Sequence, residues 1–376
     1  VRKPHGSAAL RAGGIGYTRR SPARLKEPAV WLDDLDTPSV LIDLDVMERN
    51  IADMQARCDA LGLAFRPHIK THKIPDIARM QLAAGAVGIA CQKVSEAEVF
   101  AEAGLDDIQI PYNIIGAHKT ARLIDLALYN RISVSADSTA AVSGLSAAAA
   151  QAGMSLRVFV ELESDQHRAG APLERALQLA QAISTDEHLH FAGLLIYPSD
   201  VSIRPLLQQA LARLDAAGIG VETVSGGGTG AALHAHEVPE LTELRVGTYV
   251  FNDWSTVSRG WAAPEACAMH IRATVVSRPS DERAILDAGS KTLASETVDG
   301  LYGSIVEYPQ ARLYRLNEEH GYLDVSACDA RPQVGDIVHI LPVHTCVVTN
   351  LHNQLFGVRA GRVEVEWPVA ARGRVW

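Results

Sequence analysis

A (β/α)8 barrel of the TIM type followed by a mostly β domain is the architecture this α/β sequence predicts, and three observations carry it. Short apolar runs of strand length alternate with alanine- and leucine-rich stretches of helix length between residues 37 and 264, the order expected of parallel βα units. With the first run set aside, the strands number eight and recur about every 25 residues, and eight is the number that closes such a barrel. Beyond residue 264 helical periodicity gives way to short strands separated by turns. An open, doubly wound sheet built from the same units is the structural alternative.

Residues 1–36 stand apart as a basic arm. Arg2, Lys3, Arg11, Arg19, Arg20, Arg24 and Lys26 precede any acid, the first being Glu27. The segment lacks the apolar h-region and small-residue cleavage motif of a signal peptide. It is long enough to drape over a neighbouring subunit. The run at 40–42 fits either the barrel or the β domain. The barrel strands follow at 64–69, 87–90, 108–110, 132–134, 156–160, 189–195, 221–224 and 243–246, with helices at 46–61, 95–103, 117–128, 140–152, 173–183 and 205–217. The second domain, 265–376, has strands at 275–277, 283–287, 321–325, 336–341, 354–358 and 362–367.

The stretch Ala64-Phe65-Arg66-Pro67-His68-Ile69-Lys70 is the chemical centre. As a strand it places Arg66, His68 and Lys70 on one face and Phe65, Pro67 and Ile69 on the other. On a solvated edge this is only a charged face. Inside a barrel the three bases are costly to desolvate unless an anion or a covalent partner compensates them. A lysine crowded by cations there loses its proton more easily and can form a Schiff base with an aldehyde. His72 and Lys73 read as solvated residues at a helix start.

Chemistry in such a barrel sits at the carboxyl ends of the strands. Gln92 and Lys93 follow the second strand, Glu161 to Arg168 the fifth, and Tyr197 the sixth. Ser225-Gly226-Gly227-Gly228-Thr229-Gly230 follows the seventh and Gly247-Thr248-Tyr249 the eighth. Glycines let backbone N–H groups approach an anion closely, and the hydroxyls of Ser225 and Thr229 add donors. A lysine on the first strand and a phosphate cradle on the last two, which are neighbours on closure, point to pyridoxal 5'-phosphate. In the second domain His344 and Cys346 stand two apart. On a strand their side chains point the same way and can share a divalent metal. Imidazole with thiolate favours zinc, with manganese or magnesium weaker matches. Two ordinary core residues would give the same spacing.

Composition narrows the partners. The 376 residues are 47% hydrophobic and 21% charged, and the net charge of -9 argues against a nucleic-acid surface. No apolar run is long enough to span a membrane. Five scattered cysteines without a CxxC pair argue against a disulfide framework and for the reducing cytoplasm.

The motifs Arg66 to Lys73, Cys91 to Ala97, Ser225 to Gly230, Glu319-His320-Gly321 and His344-Thr345-Cys346 together resemble the fold-type III, alanine-racemase-like enzymes, within them the D-threonine aldolase and D-serine dehydratase group. The resemblance covers residues 37–376. It implies a pyridoxal-phosphate barrel with a β domain, acting on a small D-amino acid as a head-to-tail homodimer with shared active sites. By it Lys70 is the Schiff-base lysine, Arg168 lies near the pyridine nitrogen, Tyr197 lies beside the ring, and His68 and Gln92 belong to the cofactor site. Related aldolases carry His-x-Asp where this chain has His344 and Cys346, and related dehydratases carry His-x-Cys. Residues 349–353 and 357–359 follow the aldolases instead. After Tyr197 comes Pro198-Ser199-Asp200-Val201-Ser202, without the histidine found in the group, leaving His167, Asp200 and His320 as replacements near the substrate. Glu319 and His320 fit either an interface bond or a substrate contact from the partner subunit. The implied activity is aldolase-type cleavage of a D-3-hydroxy amino acid to glycine and an aldehyde. Elimination to a 2-keto acid and ammonia, or racemisation, are the alternatives. A non-catalytic cofactor-carrying barrel would lack the β domain, and a sugar- or nucleotide-binding barrel would not need Lys70.

Overall fold

The computed structural model describes residues 31–376, so most of the basic arm lies outside the described residues. Eight parallel strands form the barrel: β2 (Ala64–Phe65), β3 (Ile89–Ala90), β4 (Asp107–Asn113), β5 (Arg131–Ala136), β6 (Leu156–Glu161), β7 (Leu189–Leu195), β8 (Thr223–Gly227) and β9 (Glu243–Arg245). They run in the order β2-β9-β8-β7-β6-β5-β4-β3. The ring is joined by Val87 N–H to Phe65 O, Ala90 N–H to Pro67 O and a parallel bridge between His68 and Ala90. The open-sheet alternative is therefore excluded. Helices α1 (Leu44–Ala60), α2 (Pro75–Ala83), α3 (Val94–Glu102), α4 (Ala117–Ala127), α5 (Thr139–Ala152), α6 (Leu173–Ser184), α7 (Arg204–Ala216) and α8 (Thr229–Leu233) intervene, and α9 (Trp254–Ser258) leads out. Of these, α2 has a Pro start and a buried Ile77-Ala78 face, and it completes the unit between β2 and β3.

Three local readings are corrected. The first barrel strand ends early. Pro67 has no N–H to give the ladder, and although Arg66 N–H and His68 N–H still reach Leu244 O and Val246 O, Ile69–Thr71 closes into a 3-10 turn. Lys70 thus stands on a turn at the strand's end, not within the strand. Ser225, Gly226 and Gly227 are strand residues of β8, and the chain leaves the sheet only at Gly228. Val87 and Val221 fall outside their strands.

The second body is a nine-stranded sheet of β1 (Ser39–Asp43), β10 (Met269–Ser280), β11 (Arg283–Leu286), β12 (Gly303–Ile305), β13 (Arg312–Leu316), β14 (Gly321–Asp324), β15 (Ile337–Pro342), β16 (Gln354–Arg359) and β17 (Arg362–Pro368). It carries the short helices α10 (Ser290–Leu293) and α11 (Thr345–Leu351). The first strand is claimed by this body: β1 pairs antiparallel with β10 and parallel with β16. Among the described residues no helix is long and apolar enough to cross a membrane.

The apolar core lies between barrel and helices. Ile108, Ile110, Val134, Val158 and Val160 face it from alternate positions of β4 to β6, and all are fully buried. Their neighbours point into the lumen, which is ionic at one end. Arg66 Nε lies 2.8 Å from Glu243 Oε2 and its NH1 lies 2.7 Å from Asp107 Oδ1. Ser225 donates to Glu243 at 2.6 Å and accepts from Arg245 Nε at 2.8 Å. Arg66 is thus compensated by two carboxylates, as a buried cation requires.

Candidate active site

Two adjoining cavities open at the carboxyl ends of the barrel strands. The inner one holds about 350 Å³ and the outer about 770 Å³, and they share Tyr197, Gly228, Thr229, Thr248 and His344. Lys70 lines the inner cavity from the turn after β2. Burial lowers its pKa, and the charges of Arg168 and Arg245 reinforce this against Cys346 and Glu96. The neutral amine is thereby favoured, which is the nucleophilic form.

His68 stands beside it, with Nε2 3.1 Å from Gln92 Oε1. Burial, together with the charges of Lys70 and Arg245, pushes its pKa well down, so the ring is neutral. Its Nδ1 is buried and has no partner in the protein, as a group awaiting a bound molecule would be. Arg168 lies over Tyr197, its guanidinium 4.5 Å from the ring centroid. Gly228 and Thr229 at the start of α8 and Gly247 and Thr248 after β9 line the same cavity. A side chain at Gly247 would place Cβ 2.6 Å from Thr71 Oγ1 and 2.8 Å from His68 O. The close approach of the two segments is what requires glycine there.

His344 and Cys346 also reach the inner cavity, by a different local structure from the expected one. The chain leaves β15 and begins α11 at this point, with His344 as the extended residue before the helix and Cys346 in its first turn. They converge because the helix starts between them, not because a strand alternates. His344 Nδ1 is 2.6 Å from Glu296 Oε2, and Cys346 Sγ is 3.2 Å from Thr71 Oγ1. A hydrogen bond to Cys346 raises the His344 pKa to about 9 despite burial, with the charges of Cys346 and Glu296 adding to it. Burial pushes the Cys346 thiol up, but the hydrogen bond and charge of His344, then Lys70 and Thr71, bring it below its ordinary value. Imidazole and thiolate are zinc donors. Among the described residues no group of three His, Cys, Asp or Glu side chains gathers to hold a metal. The pair therefore fits only an open site whose shell is completed by water or substrate.

Other expected residues lie elsewhere. Ser225 has its hydroxyl engaged by Glu243 and Arg245, and Ser225, Gly226 and Gly227 do not line the inner cavity. Tyr249 is buried behind it, edge-on to Phe65 and accepting from Gln81 at 2.8 Å. Asp200 lines the outer cavity and is occupied in capping Ser202. His320 lies on the turn between β13 and β14, and His167 pairs with Glu163 at the surface; neither lines either cavity. Two more ionic residues complete the inner wall: Glu161, expected at the end of its strand, and Arg245, unexpected there. Burial brings Arg245 down to about 10 although Glu243 and Glu161 hold it up, and burial raises Glu161. The signal for Arg245 lies in the alternation of Glu243 and Arg245 with Leu244 and Val246.

Residues 42–253 match the family model for the alanine racemase N-terminal domain. The chain belongs to this family. In this alanine-racemase-family chain residues 268–358 match, in addition, the model of a serine dehydratase domain. The family member is 37% identical over 376 residues to a D-threonine aldolase of an Arthrobacter species, covering 95% of this chain and 97% of that one. It superposes with a TM-score of 0.86 on the crystal structure of D-threonine aldolase from Filomicrobium marinum, at 35% identity over 95% of this chain and 100% of that one. It is also similar to a D-threo-3-hydroxyaspartate dehydratase solved as a cysteine-to-alanine variant in a metal-free form, with a TM-score of 0.83 and 30% identity over 92% of this chain and 100% of that one.

Proposed function

We propose that this protein is a lyase that splits D-3-hydroxy amino acids in the manner of D-threonine aldolase, giving glycine and an aldehyde, with pyridoxal 5'-phosphate and a divalent metal as cofactors. The observation that carries the reading is one cavity of about 350 Å³ where a lysine with lowered pKa, two glycine-lined backbone segments and a His/Cys pair meet. The residues suit the cofactor. Lys70 is the amine for its aldehyde, and the backbone at Gly228, Thr229, Gly247 and Thr248 suits its phosphate. Arg168 and Tyr197 would flank its ring, with Gln92 holding His68. When bound, pyridoxal phosphate supplies an electron sink that makes the bonds at the substrate's α-carbon labile.

The protein's own groups then divide the work. His68 presents a neutral ring nitrogen, Nδ1, to the bound molecule. His344 and Cys346 would hold the metal, zinc by donor softness and manganese or magnesium less readily. A metal there can polarise the substrate's 3-hydroxyl. Asp200 borders the outer cavity, where the rest of the substrate would extend. His320 reaches neither cavity of its own chain and is assigned to the neighbouring site of a homodimer. The division into a cofactor-binding body at 37–264 and a β body at 265–376, and a cytoplasmic location fitting five free cysteines, belong to the same reading.

A dehydratase reading, giving a 2-keto acid and ammonia, has one observation in its favour: a thiol at 346, which completes the His-x-Cys pair carried by related dehydratases. Racemisation has no such observation. The test is the absorbance of purified protein with and without Lys70→Ala, then product analysis on D-threonine and D-serine with added zinc or manganese. A band near roughly 420 nm that disappears in the variant is expected of a lysine-bound cofactor, with metal-dependent glycine release. Keto acid instead of glycine establishes the dehydratase. No band at all removes the cofactor reading.

A further inference from the structure

Every wall of the inner cavity comes from the barrel except His344 and Cys346, which the β body delivers on the first turn of α11. Asp253, just beyond β9, is 1% exposed and stands where the two bodies meet. Its Oδ1 accepts the N–H of Thr256 at 2.9 Å and so caps α9. Its Oδ2 accepts the N–H of Thr345 at 3.2 Å, the residue between His344 and Cys346. Beside it Ser255 N–H donates to Val343 O at 3.2 Å. From the other side Thr71, adjacent to Lys70, touches the Cys346 sulfur. Two N–H donors from two helices aimed at one buried carboxylate form a tie that only an acceptor-only group satisfies on both sides.

We infer that Asp253 is a positioning residue: its carboxylate fastens the first turn of α11 to the barrel mouth and so fixes where His344 and Cys346 stand relative to Lys70. The inference rests on the proposed metal reading. The physical demand is strict, because metal and cofactor chemistry tolerate displacements of only about 0.5 Å in their supporting groups. The burial that raises the Asp253 pKa, against the hydrogen bonds from Thr256 and Thr345 and the charge of His344, marks the same crowded junction.

The experiment titrates Co²⁺ into cofactor-loaded full-length protein and follows thiolate-to-cobalt charge-transfer absorbance. Asp253→Asn preserves shape but turns an N–H₂ group toward one of the two donors. It is expected to weaken Co²⁺ binding about 10–100-fold, the range for residues that orient metal ligands, while the cofactor band is unchanged. If wild-type protein binds and the variant binds equally well, the proposal is overturned, even when thermal stability has fallen. If wild-type protein shows no charge-transfer band, the metal reading itself fails and takes the inference with it. Should Asp253→Asn not fold, Thr345→Pro removes the same N–H at a first helical position that accepts proline. It must reproduce the loss, and normal Co²⁺ affinity in it overturns the proposal.

Discussion

Burial keeps the His72 imidazole neutral, its pKa pushed down to about 3, while Nδ1 accepts the Ile74 N–H and Nε2 lies 3.2 Å from Gln81 Oε1. In the unfolded chain the same ring takes a proton near its ordinary value of about 6.5. Between those two values the unfolded state binds more protons, so stability falls as pH falls through the window, by up to about 1.4 kcal/mol per pH unit, and is unaffected above it. Urea unfolding of wild type and His72→Gln from neutral pH to mildly acidic pH checks this: the variant's midpoint is expected to decline less steeply. The neighbouring Lys73 is equally enclosed, 3.0 Å from Glu96 and bonded to Ala371 O. The pattern Thr-His-Lys reads as a solvated helix start because polar residues usually are, and nothing in the local sequence announces the second-domain carbonyl that covers it. His68, by contrast, is legible, since a period of two from Arg66 aims it inward, whereas Lys70 reaches the cavity from the 3-10 turn that follows and not by strand alternation.

Between elements, the contact that shapes the cavity is the approach of the segment after β9 to the Lys70 turn. Gly247→Ala would drive a methyl group into Thr71 Oγ1 and His68 O. The turn must move, and the expected result is cofactor binding weakened at least about tenfold with a stability loss of roughly 1–3 kcal/mol. Spectrophotometric cofactor titration and thermal unfolding measure both. The barrel strands are readable as short apolar runs between alanine- and leucine-rich helices. Helix α11 is not readable in this way. Its seven residues, Thr345 to Leu351, are rich in β-branched side chains that favour strands, and the partner of its first N–H, that of Thr345, is Asp253 from a distant part of the chain. The place of β1 is likewise settled by partners more than 200 residues away, Ile271 and Phe356 among the strands they represent.

For the whole molecule, the proposed homodimer predicts a mass in light scattering of twice the chain, and the proposed metal predicts that a chelator stops glycine release yet leaves the cofactor band. Persistence of activity after exhaustive chelation, with no metal left in the sample, would dismiss the metal. The order of domains was open to sequence reading through the fading of helical period near residue 264; the ionic barrel interior was open only in part, because Glu243 and Arg245 look like ordinary surface charges until β9 is seen to be enclosed. That interior has an evolutionary corollary. Removing Glu243 alone strands Arg66 without one of its two counter-charges, and breaking a buried pair costs about 3–5 kcal/mol, whereas replacing such a set together by hydrocarbon of similar volume is often neutral or stabilising. Arg66, Asp107 and Glu243 are therefore locked to one another: a lineage or a library that changes one position at a time must pass through unstable chains to reach an oily barrel floor, and so tends to keep the ions it inherited.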